Sequence, residues 1–343
     1  MDHMRIYAQN LVNGFMSTLL IYIACELKIF DALEKKDKLL DELVIELKIK
    51  KIELLRIIRP LVQYKLLNLQ ANVVTLSEVG ELFLADRKDS LAPYALFVGK
   101  ESLARWSCIY PAIKHHKQPS ELISNCNIFN DMQVNDDAFK TFNQMMTAVS
   151  KQLDLHAFFE QFKRSNEIFT IADVGGGTGT IISKFLHYYG RAKGIILDLD
   201  QAQKAALVNI RKENLEKRCQ FINTNFFKPI KTKADVYILS RVLHDWQDEP
   251  SLQILQNIRE CMTDTSQLVV IEEMIKDVNE KDAIHGYMND LQMWVFCDGK
   301  ERTYKEFKTL FSMAELKIDK VIYMQDGTAV MIVKKDDDEV GEI

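Results

Sequence analysis

The chain has 343 residues, of which 47% are hydrophobic and 27% charged, and it carries a formal net charge of −5. That composition fills a core and excludes a disordered chain, while the acidic balance speaks against a nucleic-acid binder, which carries a basic face. Six cysteines (Cys25, Cys108, Cys126, Cys219, Cys261 and Cys297) are scattered with no CxxC pair, so reduced thiols in a cytoplasmic protein are expected, with neither disulfides nor zinc.

The first apolar run, "FMSTLLIYIACELKIF", is interrupted by Glu26 and Lys28 and lacks the flanks of a signal peptide. A buried interface helix is the expected reading, with no role in a membrane. Leu39, Leu40, Leu43, Val44 and Leu47 recur at helical spacing, as do Leu54, Ile57, Ile58, Leu61 and Val62. A β-like pair follows in "LLNLQANVVTLS", so two helices and a small hairpin suggest a winged helix. The second helix carries Lys51, Arg56, Arg59 and Lys65 beside acids, which favours a structural role over DNA reading. More helix is expected to about residue 164.

From there the pattern alternates. "IFTIADV", "AKGIILDL", "RCQFI", "ADVYILS" and "QLVVIEE" read as strands, separated by helical stretches such as "SLQILQNIREC". This predicts a parallel sheet with crossover helices. "DKVIYM" and "TAVMIV" then predict an antiparallel hairpin at the sheet edge. The expected domains are residues 1–160, helical and winged-helix-like; residues 161–335, an open α/β sheet; and residues 336–343, an acidic flexible tail. A ligand is expected at the carboxyl ends of the strands, where strand order reverses.

The first strand of the sheet ends at Asp173 and runs into a Gly175–Gly179 loop, which feeds a helix whose amides face a ligand. The dinucleotide fingerprint would put its third small residue at Thr180 or Ile182, and neither fits well. A carboxylate before the loop suits a cation better than a pyrophosphate. Asp198 lies twenty-five positions later at the end of the second strand, where an acid suits ribose hydroxyls. A ribose, a cationic amino-acid end and no phosphate describe S-adenosylmethionine. The competing reading makes both acids caps of helices or turns.

His244 follows the fourth strand on the ligand side. Asp245 is ambiguous. Asp248, Glu249 and Pro250 read as ordinary helix initiation, with Pro250 at the first helical position. Glu272 and Glu273 end the fifth strand. Thr303 and Glu306 form a capping box that leaves Glu301 unexplained. A His of near-neutral pKa takes a hydroxyl proton, and a carboxylate on its other ring nitrogen fixes the tautomer.

These residues resemble the S-adenosylmethionine-dependent O-methyltransferases of the plant caffeate and animal hydroxyindole type. "NGFMSTLLIYIACELKIFDAL", "ELLRIIRPLVQYKLL", "DVGGGTG", "ADVYILSRVLHDW", "VVIEEMI" and "GKERTYKEF" follow in the family's order. The resemblance implies a Rossmann-like class I methyltransferase sheet behind an N-terminal helical winged-helix dimerisation domain. It implies His244 as catalytic base flanked by Glu272 and Glu301. It gives Asp173, Gly175, Gly177, Gly179, Asp198, Leu199, Asn225, Phe226, Ser240 and Trp246 to S-adenosylmethionine and its product S-adenosylhomocysteine, with no metal. The family's Gly-Asp before Phe-Phe is Thr224-Asn225 here, beside Phe226 and Phe227, and glycines of the family are replaced near residue 314, in "AEL", and at Lys65.

Phe142, Met145, Met146, Met288, Met293 and Trp294 suit a flat aromatic substrate, and Asp290 and Gln292 its polar substituents; the alternative is plain core. The expected protein is a homodimer that methylates a hydroxyl, phenolic in character, on a small aromatic molecule. Set against it are a non-methylating relative that keeps the cofactor, a winged-helix metabolite-sensing regulator and, last, a nicotinamide oxidoreductase.

Overall fold

A computed structural model describes residues 2–124, 128–132, 134–163, 168–280 and 283–336. Cys126 and the tail from 337 onward lie outside the described residues. The chain forms two compact units, the first from Met1–Ser107 with Asp136–Gln152, the second from Cys108–Asn135 with Leu153–Ile343.

In the first unit a 25-residue helix, Asp2–Glu26, leads into two short amphipathic helices, Leu40–Leu47 and Lys51–Gln63. Their periodic positions Leu40, Leu43, Leu54, Ile58 and Leu61 are buried in one cluster with Phe30, Leu67 and Val74, as the 3.6-residue spacing requires. Leu39 departs from that set, because it is exposed and belongs to β1 (Lys38–Leu39). β2 (Leu67–Gln70) and β3 (Val73–Leu76) form the hairpin, and β1 adds to β3 in the order β1-β3-β2. The hairpin turns at Ala71 and Asn72, both at positive φ, the pair of values a two-residue turn needs to match strand twist. Lys51 of the second helix is paired with Asp41 at 2.7 Å, which lessens its availability to phosphate. The long helix leaves Met4, Tyr7, Leu11, Val12, Phe15 and Met16 exposed. Residues His3–Glu26 are long and apolar enough to cross a membrane by length and composition, a test that interface helices also pass.

The second unit holds a seven-stranded sheet in the order β6-β5-β4-β7-β8-β10-β9. The strands are β4 (Thr170–Val174), β5 (Lys193–Asp198), β6 (Cys219–Asn223), β7 (Val236–Ser240), β8 (Gln267–Glu273), β9 (Leu316–Tyr323) and β10 (Thr328–Lys335). The first five pair in parallel, and β10 runs antiparallel between β8 and β9. Alternation decides the layers: Val236, Ile238, Val269 and Ile271 face one core, Tyr237, Leu239, Leu268 and Val270 the other. Burial on both faces is why these strands read as apolar runs. The chain leaves β4 toward β5 and β6, then returns to β7 on its other side, so strand order reverses between β4 and β7.

Residues 108–135 belong with the sheet rather than with the N-terminal helices that precede them. Gln118 Nε2 donates to the Val295 carbonyl at 2.9 Å, Ser120 Oγ donates to the same oxygen, and Phe129 stacks on Trp246. Helix Asp248–Cys261 is capped at Gln247, so Pro250 occupies its third position, not the first. Pro is tolerated there because the first-turn N–H groups have no helical partner. No disulfide occurs among the described residues.

Candidate active site

The glycine loop sits at the reversal point. Gly175, Gly177 and Gly179 all have positive φ, a conformation that glycine adopts without strain. A Cβ on Gly177 would meet nothing within 4 Å, whereas one on Gly179 would lie 2.4 Å from Ile196 Cδ1. The loop is therefore packed at its far end and open in the middle. Asp198 Oδ2 accepts the Gly177 N–H at 2.7 Å, and its Oδ1 accepts the N–H of Leu199. Asp198 thus holds the loop's shape from the end of β5. Leu199 caps helix Asp200–Lys212 and is partly exposed.

Asp173 is 1% exposed, and the backbone of Ile182, in the first turn of the next helix, hydrogen-bonds to it. Its Oδ2 has no partner among the described residues. Burial raises its pKa to about 7. The helix-capping reading finds the Ile182 backbone, and the cation-binding reading finds the unpartnered Oδ2. A buried carboxylate with one unsatisfied oxygen fits an ammonium group brought by a ligand.

On the other wall, Asn225 Oδ1 accepts the N–H of Phe227 in a local turn, so that oxygen is already engaged. Phe226 and Phe227 pack edge-on against Trp246, at ring separations of 6.3 and 4.7 Å. Trp246 Nε1 is buried without a partner among the described residues. Ser240 ends β7, half-buried.

Past β7 the chain turns sharply. Arg241 takes φ 53°, a strained value for a residue with a Cβ, and a short 3₁₀ turn, Leu243–Asp245, presents His244. His244 is 7% exposed, Glu272 0% and Glu301 3%. The His244 Nδ1–H donates to Glu301 Oε1 at 2.9 Å, and Glu272 Oε2 lies 3.7 Å from the same nitrogen. Nε2 faces the other way, 3.6 Å from Asp245 Oδ1. Glu272 Oε1 accepts two backbone N–H groups, from Val242 at 3.0 Å and Leu243 at 2.8 Å.

Burial disfavours charge on His244, but Glu272, Glu301 and Asp245 overcome it and raise its pKa to about 10. Burial is also the main cause that lifts Asp245 to about 7 and raises Glu272 above the usual carboxylate range. The cluster is built to hold an imidazolium.

Sequence reasoning brought His244, Glu272 and Glu301 together and missed what positions them. Arg302 is fully buried. It donates to the carbonyls of Leu243 and Trp246 at 2.8 Å each, and to Asp248 Oδ1 and Ser251 Oγ. Its five fixed donors pin the turn that carries His244. Asp248, read as helix initiation alone, also pairs with Lys300 at 2.9 Å. Gly299 has to be glycine for a steric reason, since a Cβ there would lie 2.1 Å from the His244 carbonyl oxygen. Asp290 Oδ1 accepts the Glu301 N–H at 2.9 Å, so it orients a catalytic candidate.

The other acceptor candidates divide between the units. Met293 and Trp294 lie half-buried on helix Ile284–Cys297 of the sheet unit, with Met288 exposed. Phe142, Met145 and Met146 lie on helix Asp136–Gln152 of the first unit, where Phe142 packs on Phe97 and Met145 is buried.

A family model described as an O-methyltransferase domain matches residues 106–317, and one described as an O-methyltransferase dimerisation domain matches residues 9–86. The phenazine O-methyltransferase PhzM of Lysobacter antibioticus is 26% identical over 94% of this chain and 93% of its own length. The desmethylxanthohumol 6'-O-methyltransferase of Humulus lupulus is 30% identical over 72% of this chain and 70% of its own. The structure of human N-acetylserotonin methyltransferase in complex with SAM shares the fold, with TM-score 0.88, 21% identity and 98% coverage of each chain. Two family models that take in most of the chain, and a relative aligned along nearly all of it, leave one assignment: the protein belongs to the O-methyltransferase family that carries an N-terminal dimerisation domain.

Proposed function

We propose that the protein methylates a hydroxyl, phenolic in character, of a small aromatic acceptor, with S-adenosylmethionine as donor and His244 as general base. The observation that carries this reading is the buried His244, whose Nδ1 is fixed by Glu301 and whose Nε2 points away from Glu272 and Glu301, with Asp245 Oδ1 3.6 Å from it. S-adenosylmethionine supplies a methyl group already activated by its sulfonium, so the protein's task is positioning and one proton transfer.

Asp173 receives the donor's ammonium, Asp198 its ribose, and Phe226 and Trp246 the flat face of its adenine ring. His244 Nε2 takes the acceptor's hydroxyl proton. Glu272 and Glu301 stabilise the imidazolium that forms, and the Nδ1–H to Glu301 bond keeps the ring in one tautomer. The resting imidazolium must first lose a proton, and a cationic donor close by favours that loss through like-charge repulsion. Met293 and Trp294 of the sheet unit are proposed to contact the acceptor. The exposed face of helix Asp2–Glu26 is proposed to pair with a second copy.

The test is a screen of phenols and hydroxyindoles with labelled S-adenosylmethionine, with wild type and His244→Gln side by side. We expect methylated product from the wild type, a loss of roughly 10²- to 10⁴-fold in turnover for the variant, and unchanged donor affinity. Full turnover by His244→Gln would remove the base from the mechanism.

A further inference from the structure

We infer that the His244–Glu272–Glu301 cluster is also a binding site for a divalent transition-metal ion, Zn²⁺ above all, and that the bound ion switches methyl transfer off. Each of the three residues offers one ligand atom, and these atoms lie within 4.8 Å of one another. The donor set is one imidazole nitrogen and two carboxylate oxygens, a combination that suits Zn²⁺. Mg²⁺ and Ca²⁺ need six or more oxygens and are poorly served here.

A second observation points to a cation independently of the cluster's composition. Glu272 Oε2 and Glu301 Oε2 are both buried and accept no hydrogen bond among the described residues, Glu272 Oε2 standing 3.7 Å from His244 Nδ1. Buried carboxylate oxygens that accept no hydrogen bond are costly to keep, and an ion held by both acids would satisfy them. The spacing agrees. Ligands about 2.0–2.2 Å from a tetrahedral Zn²⁺ stand ~3.4 Å apart. The observed separations from His244 Nδ1, 2.9 Å to Glu301 Oε1 and 3.7 Å to Glu272 Oε2, bracket that value. The site is also stiff, because Glu272 is held by two backbone amides and the Glu301 amide by Asp290.

The consequence follows from which nitrogen is taken. An ion on Nδ1 expels the proton that Glu301 accepts. The ring's remaining proton then sits on Nε2, which becomes a donor where the reaction needs an acceptor. Water fills the fourth position. The inhibitory half of this inference rests on His244 being the base; the binding half does not.

The test titrates the metal-free full-length protein with Co²⁺, whose visible absorption intensifies in a four-coordinate site and whose thiolate complexes add a near-ultraviolet band. We expect one equivalent bound, no thiolate band, and displacement by Zn²⁺. Glu272→Gln and Glu301→Gln should each weaken binding at least ~10-fold with circular dichroism unchanged. In parallel, one equivalent of Zn²⁺ should abolish methyl transfer to the phenol panel, and EDTA should restore it. A thiolate band, or binding unchanged in both variants, would place the ion on cysteines or the surface and overturn the site. Stoichiometric Zn²⁺ at the cluster with undiminished turnover would uphold the site and instead sink His244 as the base.

Discussion

His244 owes its character to two acids far from it in sequence, Glu272 and Glu301, and to Asp245 next to it. Burial alone would push an imidazole toward neutrality, yet three carboxylates reverse the outcome and carry its pKa to about 10. The sign of the resulting pH dependence is fixed. A base works in its neutral form, and a pKa raised above the ordinary value of about 6.5 makes that form scarce at neutral pH. Turnover is therefore expected to climb as pH rises toward the imidazolium's pKa. Glu301→Gln keeps an oxygen for Nδ1–H but removes one of the charges that raise the pKa, so the climb should move to lower pH. A pH–rate profile measured on both proteins checks this; an unshifted profile would mean that Glu301's charge is not felt by the ring. Asp173 is buried in the same way, with the Ile182 backbone of a helix start beside it and Oδ2 without a partner among the described residues.

Helices in both units end in unusual ways. Lys28, Lys48, Lys65, His116, Asn214, Asp298 and Glu315 all follow helices with positive φ, where glycine is the common choice. Lys65 and Glu315 stand where the resemblance leads one to expect glycine, and the backbone keeps the left-handed turn regardless. At Lys65 the Leu66 N–H still reaches the Leu61 carbonyl at 2.9 Å, closing the helix Lys51–Gln63. The left-handed conformation costs a residue with a Cβ roughly 1–2 kcal/mol, part of which glycine returns as unfolded-state entropy. Lys65→Gly is thus expected to stabilise the protein by about 0.5–1 kcal/mol, read as a higher denaturant midpoint at unchanged slope. Glu315 is a less clean position, because it is also ion-paired with Arg259.

For the molecule as a whole, the long first helix is the outlier. Phe15 is 51% exposed and stands among Leu11, Val12 and Met16, which are also exposed. A run of large apolar side chains facing water on one helix marks an interaction surface, and the dimerisation-domain match covers it. A charge placed in such an interface is left without a partner and costs several kcal/mol. Phe15→Glu should convert a dimer into a monomer in sedimentation velocity while the sheet unit keeps its far-ultraviolet signal. A variant that stays dimeric would move the interface elsewhere.

How much of this was legible in order along the chain follows from the range of the forces involved. Apolar periodicity is local, so the two helices and hairpin of the first unit and all five parallel strands could be read directly. So could the glycine loop and the Thr303–Glu306 capping box, which the structure forms with both reciprocal bonds. The helix stops were harder, since left-handed lysines and acids carry no glycine signal. His244 and Glu272 could be placed at strand ends, while Glu301, which the capping box left unexplained, took its role from the motif resemblance. What no local pattern contains is the burial of those two acids, the Arg302 guanidinium gripping the turn, or the Asp290 contact that orients Glu301. These depend on segments 11 to 59 residues apart meeting at the carboxyl ends of the central strands, and on the loss of water there, which turns ordinary side chains into a strongly coupled set of charges.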